Sequence, residues 1–568
     1  MIERIKVSKG EKKAELVLKN CNIINVFNCK IEKGDIAIED GIIVGIGNYK
    51  GVHEIDLEGK IVSPGFIDGH VHIESSLVTP PRFAEIIIPK GTTTIIADPH
   101  EIANVCGLDG IDYMLKSSKN IPLDVYIMLP SCVPCMDFEN SGARLLAKDL
   151  ELMKDRENIL GLGEMMNYPG VIDGDKIVHD KLDLMRDMII DGHAPNVMGN
   201  RLNTYITAGV MTDHECTKAY ELEEKVSRGM YVHIREGSAT RNLKELIKGV
   251  TVQNSRRVLF CTDDKQPFDI NNEGHINYNV KSAIKYGIDP IIAIQMASLN
   301  IAECYGLKGK GAIAPGYDAD ILVLDNLKDI NVMEVYKKGQ LVAKNNEVLF
   351  DIEVVEDSRV LNTVKINEID NISFDIPLKS GIAKVIQLIE HNIITKNVNR
   401  EVDIEHNKFK FNNKKDILKL AVIERHKNTG NVGLGLVEGY GLKGGAVALS
   451  IAHDSHNIIV VGDNDEDMKA AIRELKRVEG GITICSNGNV LETLTLEVGG
   501  LMTNSSIEEV GYKLERLEEI AKDKGINPNI DPFLTLAFLA LPVIPELKLT
   551  DSGLFDVNKF EFVDIEVK

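Results

Sequence analysis

The sequence predicts an α/β fold: a (β/α)8 barrel, a small composite β-sandwich domain, and an additional C-terminal α+β domain. Three observations predict it. Residues 63–308 alternate apolar strands with helical stretches and give eight candidate strands over about 245 residues, the count and length such a barrel requires. Short strands with turn signals flank this segment on both sides, in residues 1–62 and 309–360, so one small β domain is made from two pieces of chain. Residues 365–568 change character, with charged patches, a glycine-rich stretch and then helical periodicity.

Taken in order, the flanking domain begins with short strands at residues 15–18, 21–26, 35–38 and 41–46. Asp40-Gly41 is a hairpin-type turn pair. The domain resumes in Gly316-Tyr-Asp-Ala-Asp-Ile-Leu-Val and in residues 335–342. The barrel strands are read at the run ending in His70 and His72, then at 93–98, 124–129, 159–164, 191–193, 209–214, 230–234 and 257–263. In the C-terminal domain, the glycines from Gly430 to Gly445 lack the spacing of a phosphate loop and read as turns between short strands. Helices are expected over 466–478 and 507–524.

Composition excludes several classes. At 568 residues, 44% hydrophobic and 27% charged, the chain is ordinary for a soluble protein of about three units. Its 65 basic and 86 acidic residues give a net charge of −21, which argues against a nucleic-acid-binding surface. Nine cysteines do not make a disulfide framework, and Cys132 and Cys135, although spaced C-x-x-C, read as a reduced, packed pair. The start has no apolar h-region, and the longest apolar stretch, residues 533–544, is broken by Pro542 and too short to span a bilayer. A cytoplasmic location is expected, and a symmetric homo-oligomer is common for barrel enzymes of this size.

The chemistry starts from Ile61-Val-Ser-Pro-Gly-Phe-Ile-Asp-Gly-His-Val-His-Ile. Strand side chains alternate, so His70 and His72 point to the same side and present half of a metal site. The later strand ends add Glu164, His193, His214 and Asp263. Singly, His193 reads as a turn residue and His214 as a helix cap. Their ordered placement with the histidine pair favours ligands. Four imidazoles and two carboxylates suffice for two divalent cations bridged by a carboxylate, here Glu164, and such cations acidify water. Asp263 would bind one cation and take the proton from that water. Its neighbour Asp264 could fill the same role, but strand alternation favours Asp263.

Beyond these residues the sequence resembles the bacterial adenine deaminase family of the amidohydrolase superfamily. The resemblance rests on Pro64-Gly-Phe-Ile-Asp-Gly-His-Val-His, His70-Val-His-Ile-Glu-Ser-Ser, Ala97-Asp-Pro-His-Glu-Ile-Ala-Asn-Val, Gly163-Glu-Met-Met-Asn, Asp191-Gly-His-Ala-Pro, Thr212-Asp-His-Glu, Arg235-Glu-Gly-Ser and Cys261-Thr-Asp-Asp. It runs nearly end to end and includes the C-terminal domain. It implies a metallo-dependent hydrolase barrel that deaminates adenine to hypoxanthine and ammonia in purine salvage, acting on a small-molecule purine. It also implies a binuclear centre of Mn2+ or Fe2+, with Zn2+ compatible. The implied ligands are His70, His72, Glu164, His193, His214 and Asp263, and Glu164 stands where many superfamily members carry a carboxylated lysine.

Glu74, Ser75 and Ser76 follow the histidine pair and are expected to line the pocket or orient His72. His100 and Glu101 after the second strand, and Arg235 and Glu236 after the seventh, divide evenly between substrate contact and support of the ligands. His453 and His456 read as a structural turn rather than a closure of the barrel mouth. The rival chemistry is hydrolysis of an amide such as an N-acetylated amino sugar, which the same ligands would serve. A catalytically silent scaffold is disfavoured, because all six ligand positions are retained. The C-terminal domain is expected to be a lid.

Overall fold

Eight parallel strands close a barrel in the computed structural model, which describes residues 1–567. They are β1 (Phe66–Val71), β2 (Thr92–Ala97), β3 (Asp124–Leu129), β4 (Ile159–Met165), β5 (Ile189–Gly192), β6 (Thr212–Asp213), β7 (Tyr231–Arg235) and β8 (Val258–Cys261). Adjacent strands pair in parallel from β1 to β5 and from β6 to β8. The Met211 amide donates to the Ile190 carbonyl at 3.0 Å and joins β6 to β5. Asp263 donates to His70 at 3.0 Å and His72 to Asp263 at 3.2 Å, closing β8 onto β1. Strand β2 is buried at every position, as expected of a parallel strand covered on both faces, and it is built from β-branched threonines and isoleucines ending in Ala97.

The two flanking segments meet in one nine-stranded sheet. The strand leading into the barrel, Ile61–Pro64, pairs antiparallel with the strand leaving it, Ile321–Leu324, in the register Val62 to Val323. The chain therefore enters and leaves the barrel through neighbouring strands. The first two expected strands are one, Ala14–Asn25, with its register shifted between Leu18 and Cys21. Asp40 and Gly41 both adopt positive φ, 49° and 71°, and turn Glu39 back onto Ile42. A helix at Ile2–Ser8 precedes the sheet; its short amphipathic run carries no clear start signal and was not expected.

This sheet is bound to the bottom of the barrel by buried charges. Lys337 Nζ donates to Asp124 at 2.5 Å, to Asp320 at 2.7 Å and to the Thr93 carbonyl at 2.8 Å, and Lys310 bonds Asp124 and Asp320 as well. Lys337 is 6% exposed and Asp320 7%. Lys337→Met will leave the buried Asp320 and the half-buried Asp124 and Asp318 sharing the Lys310 ammonium and lower stability by about 3 kcal/mol. Because the network lies at the end of the barrel opposite the strand C-termini, turnover per folded molecule will be unchanged. Urea unfolding and steady-state kinetics on the same preparation check both halves.

The C-terminal domain is an α+β unit around an eight-stranded mixed sheet. Helix Asp465–Arg477 starts where the Asn464 side chain accepts from Asp467 N, and Ile507–Asp523 where Ser506 accepts from Glu509 N. Strand Val432–Glu438 runs through the glycine-rich stretch, and a Cβ on Gly433 would sit 1.8 Å from the Thr550 carbonyl oxygen. That glycine serves close approach of two strands, not phosphate binding. Thr79 donates to Thr503 at 3.2 Å and Thr503 to Leu77 at 2.9 Å. The apolar core is continuous from Leu77 and Ile102 of the barrel segment to Val498 and Leu501. Among the described residues no helix is long and apolar enough to cross a membrane.

Candidate metal centre and active site

The six expected ligands converge at the C-terminal ends of the barrel strands. His70 is the penultimate residue of β1 and His72 follows the strand, with their Nε2 atoms 3.2 Å apart. Glu164 of β4 divides its carboxylate between two imidazole pairs. Oε1 lies 3.8 Å from His70 Nε2 and 3.3 Å from His72 Nε2. Oε2 lies 2.5 Å from His193 Nδ1 and 3.3 Å from His214 Nε2. Asp263 Oδ1 stands 3.1 Å from His72 Nε2 and 3.8 Å from His70 Nε2. All six are buried except His193, which is half-buried.

This arrangement fits a pair of divalent cations. Two Nε2 atoms at hydrogen-bond distance need one proton between them, yet both face carboxylate oxygens. His72 Nδ1 lies 2.9 Å from the Asp98 carbonyl, a partner that only accepts, so the proton sits on Nδ1 and the Nε2 lone pair faces the cluster. A nitrogen and carboxylate donor set of this kind suits manganese, iron and zinc alike.

Charged neighbours fix the cluster. Asp98 Oδ2 accepts from Glu164 N at 2.8 Å. Arg235 donates to Asp263 Oδ2 at 2.6 Å and also bonds Glu215. Burial alone would raise the Asp263 carboxyl, but Arg235 and His72 outweigh it and hold it well below the usual range. Burial drives His70 well below the ordinary imidazole range. Asp263 itself adopts φ 60°, a left-handed backbone that a non-glycine residue holds only where its surroundings impose it. Beneath His193 and His214, Asp213 accepts from Ala194 N at 2.7 Å and Glu215 N at 3.2 Å, and Lys225 Nζ bonds Asp213 at 2.8 Å and the Ala194 carbonyl at 2.7 Å.

A narrow cleft opens beside the cluster. Its barrel side carries Glu74, Ser75, Leu77, Glu101, Asp264 and Gln266, and its other side carries Ile451, His453, His456, Leu501 and Leu534 of the C-terminal domain. Glu74 keeps Oε2 without a hydrogen-bond partner among the described residues, and burial pushes its carboxyl up to about 7. Ser75 bonds Asp264, which lines the cleft and also lies close enough to His72 and Asp263 to share a cation with them. Ser76 turns inward and bonds the Ile73 carbonyl, so it does not line the cleft. His100 Nδ1 is 3.4 Å from Glu164 Oε1. Arg235 is turned to Asp263 and Glu215, and Glu236 away from the cleft, where its Oε2 accepts from Leu243 N at 3.1 Å. The reading of His453 and His456 as a structural turn is corrected: both imidazoles line the cleft and bond Glu101. Sequence reasoning missed Asp98, Glu215 and the Asp213–Lys225 pair. Asp213 and Glu215 were signalled only by flanking His214, and Asp98 only by closing its strand.

Residues 61–342 match the Amidohydrolase family, a span that takes in the whole barrel and the strands leading into and out of it. Fold and match together define the class as amidohydrolase. Residues 392–561 match the Adenine deaminase C-terminal domain. The adenine deaminase of Clostridium acetobutylicum is 53% identical over 99% of this chain and 99% of its own length. Adenine deaminase 2 of Carboxydothermus hydrogenoformans is 49% identical over the same shares. A solved β-aspartyl dipeptidase from Fervidobacterium islandicum AW-1 aligns over 60% of this chain and 100% of its own with 18% identity and a TM-score of 0.46. The chain belongs to the adenine deaminase family.

Proposed function

We infer that the protein catalyses hydrolytic deamination of adenine to hypoxanthine and ammonia. The observation that carries this reading is the end-to-end match, through the C-terminal domain, to relatives named adenine deaminase. The ligand set we propose for two divalent ions, Mn2+ or Fe2+, is His70, His72, Glu164, His193, His214 and Asp263. It is supported by the division of the Glu164 carboxylate between two imidazole pairs. When bound, such ions lower the pKa of water and supply a nucleophile at neutral pH.

The chain's own residues do the rest. Arg235 occupies Asp263 Oδ2 at 2.6 Å, which leaves Oδ1, facing the histidines, as the oxygen that takes a proton from water and returns it towards the amine leaving C6. The side chains of Leu77, Ile451, Leu501 and Leu534 give the cleft apolar walls suited to a flat purine, and they exclude bulk water. Glu74, Ser75, Asp264 and Gln266 offer polar atoms to the ring edge. Selectivity follows from these groups, because a ligand lacking the matching donors and acceptors leaves them buried and unpaired.

The test is the ultraviolet change from adenine to hypoxanthine, with ammonia assayed in parallel, on manganese-loaded protein and on His72→Ala. Turnover in the first and a loss of at least about 100-fold in the second is the expected result, since even an outer-shell partner is commonly worth 10–100-fold. No turnover from protein with two ions demonstrably bound would overturn the substrate and direct the search to amides.

A further inference from the structure

The C-terminal domain reaches into the barrel mouth through one turn. His453 Nδ1 lies 3.2 Å from Glu101 Oε1, and His456 bonds Glu101 Oε2. Glu101 lies in the first turn of the helix His100–Cys106 that follows β2, 352 positions away in sequence from His453. The contact continues inward: His100 Nε2 stands 3.5 Å from Glu101 Oε1, and His100 Nδ1 stands 3.4 Å from Glu164 Oε1. Two imidazoles of one domain thus hold a carboxylate of another, one residue from the histidine that faces the ligand cluster.

The turn is built at a cost that a connecting loop does not require. Asp454 and His456 adopt φ of 62° and 51°, in the left-handed region. Arg425, fully buried, donates to the carbonyls of His456 and Gly499, the latter at 2.9 Å, and to Thr363 Oγ1 at 2.9 Å. A buried guanidinium spent on backbone oxygens rigidifies what it holds. The His453 ring stacks on Phe538 with centroids 4.1 Å apart, which fixes its plane. His426 Nε2 lies 2.7 Å from the Ser455 carbonyl and braces the turn from a third side.

We propose that His453 and His456 are positioning residues of the deaminase site: they fix Glu101 against His100, so that the C-terminal domain sets turnover from outside the barrel. This rests on the adenine reading above. Burial opposes a charge on His453, yet Glu101 overrides it and pushes the imidazole up to about 9, so this half of the clamp is charge-assisted at neutral pH, while burial holds His456 below the ordinary imidazole range. Asp264 and Asp454 also face His453 and reinforce its proton. A purely mechanical latch between domains would hold the fold together and leave catalysis alone. Here the latch ends on residues in the cleft wall.

The experiment uses the full-length, metal-loaded protein. His456→Leu and His453→Leu will each lower kcat/KM for adenine by about 10–100-fold, with two metal equivalents retained and the melting midpoint little changed. His456→Gln and His453→Asn, which keep a donor near the lost nitrogen, will recover most of that loss. In a Glu101→Gln background, His456→Leu will cost less than about threefold more, because the partner it orients is already altered. Amide hydrogen exchange of residues 100–106 will quicken in the double leucine variant. Full kcat/KM in that double variant, equal losses in the Leu and Gln variants, or full additivity with Glu101→Gln would each overturn the proposal. If the unaltered protein fails to turn over adenine, the substrate reading fails by itself. The exchange result then still decides whether the clamp orders the helix.

Discussion

Glu164→Gln will cut adenine turnover by more than about 100-fold and leave no more than about one metal equivalent per chain. The reason is the way the side chain is used. One oxygen faces His70 and His72, and the other faces His193 and His214, so in the proposed centre a single carboxylate would serve two sites at once. An amide offers one acceptor oxygen and one NH2 group that only donates. Whichever way it turns, the NH2 faces one imidazole pair and cannot ligate there. Loss of an outer-shell partner commonly costs 10–100-fold in affinity or rate, and loss of a shared ligand exceeds that. The backbone gives no reason for misfolding, because the Glu164 amide stays bonded to Asp98 at 2.8 Å in either variant. Metal analysis and kinetics on one preparation decide it, and near-normal turnover with two ions bound would show that Glu164 is not shared.

The sequence made the proposed ligand cluster legible because barrel geometry turns order along the chain into position in space. Every strand ends at the same rim, so a polar residue closing an apolar run points at the same opening. His70 and His72 follow that rule directly. Asp263 was reached for a reason that does not operate: β8 ends at Cys261, and the side chain is aimed by the left-handed turn at φ 60°, not by strand alternation. The supports were not legible. Asp98 and Lys225 act through a backbone amide and a backbone carbonyl of neighbouring segments, and Glu215 through the distant Arg235 side chain, and no periodicity marks such contacts. The clamp on Glu101 was hidden for a stronger reason. It joins two domains, and the residues that make it, in Ser450-Ile-Ala-His-Asp-Ser-His-Asn, form a polar stretch before a strand, which locally is the pattern of a turn. Continuity of the core between Leu77 and Leu501 also shows why point variants, not truncation, test the lid: removing residues beyond 365 would strip apolar cover from the barrel itself.

Lys225→Met will be the most damaging change outside the ligand set. Lys225 and Asp213 are fully buried, and together they tie down the two loops that carry His193 and His214. Burial opposes both charges, but the pair overcomes it, holding Asp213 down to about 2 and Lys225 up to about 12. Asp213's contribution is therefore present above its unfolded pKa and lost only as pH falls through about 2. That of Lys225 is present below its unfolded pKa and lost only as pH rises through about 12. The tether is intact over the whole neutral range in the unaltered protein. Removing one partner of such a pair costs about 3–5 kcal/mol, because the remaining carboxylate is stranded. Urea unfolding reads that loss, and metal titration will show binding weakened by about 10–100-fold as His193 and His214 lose their anchor. The double change Lys225→Met with Asp213→Leu separates the two effects. It removes the stranded charge and recovers stability, but leaves Ala194 N and Glu215 N without their acceptor, so metal binding stays weak. Recovery of both properties together would mean that the pair only stabilises the fold and does not position the histidines.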